Sequence, residues 1–201
     1  MIRKLADGEC WMTEALTFPL TAGVETTGAY NTSATPYTFT PTSCSTDGSC
    51  PMNGDTFAVP SINSYYYNWY AATAGTGTTG MGIDEDAPAS ICPVGWRLPP
   101  NYSVSQAKSY QKLTNTYGYT SDGNHNTLDR TAYLKQFPFS FILYGFTRYG
   151  ALEGYTVYAG YQSSTAWNTS AGYYFYFDAS YTWPQYANVK QYGLSVRCVA
   201  L

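Results

Sequence analysis

The chain has 201 residues, 44% of them hydrophobic, which suffices for one ordinary domain with a buried core and excludes the disordered and collagen-like classes. Only 11% are charged, against about 25% in an average protein, and the net charge is −3 with basic residues spread along the chain, so a nucleic-acid partner is not expected. Aromatic residues reach 18%, including 22 tyrosines, whereas there is a single histidine, a composition of contact surfaces more than of metal sites or His-based catalysis.

In chain order, Met1 leads directly into a polar stretch with no apolar signal-peptide core, and no run of about 18 apolar residues follows anywhere. Residues 8–18 read as a strand or short helix with Trp11 and Leu16 facing inward. Residues 19–63 are a Thr/Ser/Gly/Pro-rich irregular insertion, for which Cys44 and Cys50, bracketing a short turn, look like a staple. An aromatic burst at Tyr65–Tyr70 and a second Gly/Thr loop over 75–90 come next. The apolar segment 91–99 precedes a helix with a capping box at Ser103 and Gln106 and apolar spacing to Tyr117, ended by Gly118. A shorter helix is expected from Leu128 to Gln136, closed by Pro138.

From Phe139 the pattern is strand: Phe139–Arg148, Tyr155–Tyr161, Gly172–Asp178 and Leu194–Ala200 are β-branched or aromatic runs broken by Gly, Asn and Ser. Helices in the middle and a mostly antiparallel sheet at the end make the fold class α+β. In Gly172–Asp178 the phenylalanines alternate with tyrosines, so Phe175 and Phe177 are expected inward and Tyr174, Tyr176 and Asp178 outward; 179–189, with Pro184, reads as an exposed loop.

Little in the chain resembles catalytic machinery. Asp84-Glu85-Asp86 is the only tight carboxylate cluster; it fits an acidic solvated turn, matches no calcium loop, and no metal or cofactor is expected. His125 stands alone in a polar loop, and Cys10 has no base beside it to generate a thiolate. Phosphate-loop, dinucleotide and nucleophile-elbow motifs are absent, so the protein is not expected to be an enzyme.

Residues 155–192 stand out. Between Tyr155 and Val189 the only charge is Asp178, while tyrosines and two tryptophans interleave with Ser, Thr, Asn and Gln. Tyrosine offers large, rigid contact area with a polar tip, and Ser and Asn add adaptable hydrogen bonding. The five cysteines leave two arrangements open: buried thiols, or two bridges and a spare Cys10.

Five blocks then line up in order along nearly the whole chain: Asp7 to Leu16, Tyr67-Asn68-Trp69-Tyr70-Ala71-Ala72, Cys92-Pro93-Val94-Gly95-Trp96-Arg97-Leu98-Pro99, Ser163-Ser164-Thr165 and Gly193 to Val199. Together they resemble the Fibrobacter succinogenes major paralogous (FISUMP) domain family, which is related to the C-type lectin fold. The resemblance implies one lectin-like domain over 1–201, secreted or displayed at the cell surface through a targeting segment outside this sequence, with Cys92 bridged to Cys198. Lectin-like folds are also the scaffold of variable proteins made by diversity-generating retroelements, in which adenine-directed reverse transcription rewrites codons near the 3′ end of the gene. The ligand-contacting or diversified positions expected on that reading are Tyr161, Ala166, Trp167, Asn168, Ser170, Tyr173, Tyr174, Tyr176, Asp178, Ser180, Tyr181, Trp183, Tyr186, Asn188 and Tyr192. Gln162 stands where the family usually has Trp, and the sugar-coordinating triplets of calcium-dependent lectins and the paired catalytic cysteines of formylglycine-generating enzymes are missing. The expectation is therefore a non-enzymatic binding domain for a protein or glycan ligand, with a fixed carbohydrate-binding module as the alternative.

Overall fold

The computed structural model describes residues 2–17, 65–77, 81–82, 84–101, 109–116, 134–135, 139–148, 151–179 and 181–201, together with the backbone of five two-residue strands between 24 and 57. The elements in order are β1 (Ile2–Lys4), β2 (Cys10–Met12), β3 (Val24–Glu25), β4 (Thr38–Phe39), β5 (Ser43–Cys44), β6 (Met52–Asn53), β7 (Thr56–Phe57), β8 (Tyr66–Tyr67), α1 (Trp69–Ala72), β9 (Trp96–Arg97), α2 (Tyr110–Thr116), β10 (Phe146–Arg148), β11 (Ala151–Glu153), β12 (Tyr158–Ala166), β13 (Ala171–Asp178), β14 (Thr182–Val189) and β15 (Val199–Ala200). Two short helices and mostly antiparallel strands make the architecture α+β. The Cys44–Cys50 staple, the helix start at Ser103 and Gln106, and His125 lie outside the described residues. Of the expected second helix only Leu134 and Lys135 are described, and both are helical.

The longest strands form the antiparallel sheet β12–β13–β14, and its two faces bury different chemistry. Ala159, Tyr161, Phe175 and Phe177 point into the larger core, with Trp11, Tyr110, Leu113 and Phe141. Ring contacts there are close: Tyr110 stacks on Phe175 at 4.9 Å, and Phe141 meets Tyr161 edge-on at 4.9 Å. Such pairs add about 0.5–1.5 kcal/mol each beyond area burial. The opposite face sets Tyr174 against Phe146 and Leu194, with Tyr158, Tyr176 and Tyr192 packed around them. Another sheet, four-stranded in the order β1–β2–β15–β9, joins segments distant in sequence.

Two expected strands are shorter than the residue pattern suggests. Phe139–Arg148 is strand only from Phe146, and Leu194–Ala200 only from Val199. The reason lies in where the backbone groups bond. Leu194 N–H donates to Tyr67, Ser195 N–H to Gly160, and the carbonyls of Ser195, Val196 and Cys198 accept from Gln162, Leu16 and Met12. The segment threads between several neighbours, one or two bonds each, so no ladder forms.

The expected Cys92–Cys198 bridge is present, with the Cα atoms 5.9 Å apart and 106 residues of separation. It fastens the segment before β9 to the one before β15. In the chain-entropy account a loop of about a hundred residues yields about 4–5 kcal/mol. Replacing both cysteines by serine should therefore lower the free energy of unfolding in guanidinium titrations by about 4 kcal/mol. A loss under about 1 kcal/mol would mean that the unfolded chain is already constrained without the bridge.

Candidate functional site

The fifteen positions singled out above divide by environment. Tyr161 and Ala166 are buried in the interior, and Tyr174 is only 2% exposed. Tyr161 is held there by its hydroxyl, which donates to the Ile142 carbonyl and accepts from the Ile142 N–H, both at 3.1 Å. The expected outward orientation of Tyr174 is thus corrected. The Tyr face of β13 is itself covered at this point by Phe146 and Leu194, because the sheet lies between two apolar clusters.

Residues 179–189 also depart from the expected loop, since Thr182–Val189 form β14. Proline is tolerated for two reasons. In the order β12–β13–β14 this strand is at the sheet edge, and its register with β13 shifts between Tyr174 and Tyr176, leaving Pro184 and Gln185 in a bulge.

Most of the aromatic positions that remain form one connected row. Tyr176 contacts Trp183 at 5.4 Å and Tyr186 at 5.3 Å, Trp183 meets Tyr186 at 4.9 Å, and Tyr181 stacks on Trp183 at 5.7 Å with an interplanar angle of 14°. Tyr158 extends the row, 5.7 Å from Tyr176, and Tyr192 closes it by stacking on Phe146. Tyr181 and Tyr186 are 45% and 39% exposed, and Trp167, in the β12–β13 turn, is 46% exposed. Ser170 is exposed beside it, and Tyr173 is half-buried on the other face of β13. Ser180 lies outside the described residues.

Three polar candidates shape the backbone of this surface. Asn168 Oδ1 accepts from the N–H groups of Ser170 and Ala171, both at 2.8 Å, which closes the β12–β13 turn. Asp178 does the same for the β13–β14 turn: Oδ1 accepts from Tyr181 N–H at 2.7 Å and Oδ2 from the Tyr176 hydroxyl at 3.0 Å. Asn188 Oδ1 accepts from Val189 N–H at 2.8 Å, and its side chain also hydrogen-bonds the Tyr174 phenol.

The electrostatics keep two of its tyrosines uncharged. Burial pushes the Tyr176 phenol well up, and its bond to the Asp178 carboxylate raises it further; burial does the same at Tyr174. Both remain protonated donors at physiological pH.

Behind the β12–β13 turn lies α1. Asn68 caps it, accepting from Ala71 N–H at 2.8 Å, and Trp69 donates its indole N–H to the Ser163 carbonyl at 2.9 Å. Gly172 lets Trp69 approach: a Cβ there would lie 2.7 Å from the indole. Gln162 is buried and donates to the Tyr67 carbonyl at 2.9 Å.

Lys190 sits over the Trp69 ring at 4.4 Å and donates to the Thr169 carbonyl at 3.3 Å. Its burial was not legible beforehand, because a lone lysine after a polar run reads as solvated.

The acidic cluster is dispersed rather than convergent. Glu85 accepts from Gly82 N–H at 2.7 Å, while Asp86 accepts from Thr165 and Ser164. Among the described residues no three His, Cys, Asp or Glu side chains are placed to share a metal ion, and no helix is long and apolar enough to cross a membrane. Comparison of the chain with protein-family models, with curated proteins and with solved structures returns no match.

Burial lowers the Lys190 amine to about 8, with Glu85 opposing. The unfolded chain holds this proton to about pH 10.4, so between about pH 8 and 10 the folded state binds fewer protons and stability rises with pH. Above about 10 the buried tyrosines reverse the trend, because they hold protons that the unfolded chain loses. Thermal unfolding should thus shift upward from pH 8 to 10 in the native protein and lose most of that slope in Lys190→Met. An unchanged slope in the variant would assign it to another group.

Proposed function

We propose that the protein is a non-enzymatic ligand-binding domain that recognises its partner through the aromatic surface of β13 and β14 and the adjoining 167–170 turn. The observation that carries this reading is the row Tyr158, Tyr176, Trp183, Tyr186 and Tyr181, linked by ring contacts of 4.9–5.7 Å and partly exposed at its outer end. Phe175 and Phe177 anchor the same strand in the core, so these rings are held in place before any ligand arrives. Pre-organised aromatic side chains lose little entropy on binding and make effective anchors. With Asp178 as the one charge between Tyr155 and Val189, recognition proceeds by contact rather than by charge steering.

The fold is read here as C-type-lectin-like and the protein as a secreted or cell-surface one; the Cys92–Cys198 bridge supports an oxidising location. We further read the surface as the diversified face of a retroelement variable protein. The supporting pattern is that Ser170, Tyr181 and Tyr186 are exposed at the turns and the edge strand of this sheet, while Tyr161, Ala166 and Tyr174 are buried within it. Sequencing the 3′ end of this gene across its source population tests the reading. Substitutions should concentrate at codons for Ser170, Tyr173, Tyr176, Asp178, Tyr181 and Tyr186, sparing the buried Tyr161, Ala166 and Tyr174. Variation no greater there than elsewhere in the gene would refute diversification.

One observation favours the second reading, a fixed carbohydrate-binding module. The near-parallel stack of Tyr181 on Trp183 makes a flat, half-exposed platform suited to sugar rings. On that reading Trp183→Ala abolishes retention on immobilised polysaccharide, while Trp167→Ala, on a different turn, leaves most of it. Equal retention by native protein and Trp183→Ala removes the platform from consideration.

A further inference from the structure

A cleft of about 230 Å³ opens between β9 and the 86–90 segment, lined by Asp86, Ser90, Trp96, Arg97, Leu98 and Ser164. It shares no lining residue with the aromatic surface, and the inference below does not depend on that surface's role.

The two charged residues of its wall are incompletely used. Asp86 Oδ1 accepts from Thr165 Oγ1 at 2.5 Å and Ser164 Oγ at 3.2 Å, and a backbone bridge to Thr165 fixes the residue in place. Its second oxygen accepts from no described residue. Arg97 is held by pairing of its backbone with Val199 in β15, yet its guanidinium makes no hydrogen bond or ion pair with any described residue. Its Nε is shielded from solvent without an acceptor. Asp86 and Arg97 do not pair with each other.

A shielded guanidinium N–H without an acceptor costs free energy that a ligand can recover. Arginine's planar fork suits a carboxylate, which can take two parallel N–H bonds. A purely anionic ligand such as phosphate would face Asp86, whose carboxylate instead seeks a donor. A ligand that presents both a carboxylate and an ammonium group gives each of these two side chains a partner. The volume falls below the ~300 Å³ at which drug-sized sites begin, so the ligand is small. We propose that this cleft binds a free α-amino acid as its zwitterion, the carboxylate on Arg97 and the ammonium on Asp86, with Trp96 and Leu98 providing an apolar wall.

Titration of the full chain with the free L-amino acids, followed by calorimetry and by tryptophan fluorescence, tests the assignment. At least one should bind with a Kd below about 1 mM. Its carboxamide, its N-acetyl derivative and the corresponding hydroxy acid should each bind about tenfold more weakly, a loss of about 1.4 kcal/mol. Arg97→Gln should remove binding and Arg97→Lys should restore part of it. Because the Arg97 side chain bonds no other described residue and its Nε is shielded without an acceptor, both variants should unfold at or above the native temperature, so loss of binding is not loss of fold. Failure of every amino acid to bind, a carboxamide that binds as well as its acid, or native affinity in Arg97→Gln would overturn the proposal. A hydroxy acid that binds as tightly as the amino acid, unaffected by Asp86→Asn, would overturn the ammonium contact.

Discussion

The guanidinium of Arg197 lies wholly inside the protein, where it donates to the carbonyls of Thr13, Phe139 and Ser140 and lies 3.9 Å over the ring of Phe141. Tyr161 offers a second ring face at 5.6 Å. A lone buried cation is costly, and burial does pull its pKa down, but charge-assisted bonds and aromatic faces offset the cost without a hydrogen-bonded carboxylate. Three stretches of chain meet on this side chain: the one leaving β2, the one approaching β10, and the one entering β15. Lysine could not replace it, since a single ammonium has neither the span nor the planar fork to serve three carbonyls and a ring at once.

That arrangement sets the style of the whole interior. Outside β12, β13 and β14 the strands are two or three residues long, and side chains add bonds between segments. Asp7 accepts from the Trp11 indole, Ser163 Oγ donates to the Tyr173 carbonyl, and Thr165 Oγ1 accepts from Asn101 N–H. Uncharged polar residues do this at lower desolvation cost than ions, which is consistent with a chain carrying so few charges. Gln162 works in the same way. Its amide reaches the Tyr67 and Tyr192 carbonyls and so ties β8 and the approach to β15 to β12.

What could be read from the residues alone was what depends on local pattern. Alternation placed Phe175 and Phe177 in the core, and helical spacing located α2 through Tyr110 and Leu113. Chain-distant choices were not legible. Tyr174 alternates with Phe175 exactly as an exposed residue would, and only Phe146 and Leu194, brought from elsewhere, bury it. Pro184 argues for a loop until the strand order makes β14 an edge. Arg97 and Asp86 are separated by a turn and carry no joint motif; their common cleft arises because β15 holds β9 and Thr165 holds Asp86.

The placement of β14 has a consequence for how the aromatic surface can change. An edge strand with a bulge is coupled to the sheet through one neighbour only, so its outward side chains can be exchanged without disturbing strands beyond β13. The turns at both ends of β13 rest on Asn168 and Asp178, whose carboxyl or amide oxygens hold backbone N–H groups. Small polar residues able to make the same turn bonds can stand there, whereas apolar ones cannot. Beneath the first turn, Lys190 and Trp69 fix its height above α1 through the Thr169 carbonyl and the ring contact. Tolerance to substitution is therefore greatest at Tyr181 and Tyr186, intermediate at the turn residues and at the half-buried Tyr176, and least at Tyr161, Ala166 and Tyr174. This gradient follows from packing and hydrogen bonding alone, and any ligand that the surface meets is met by its tolerant end.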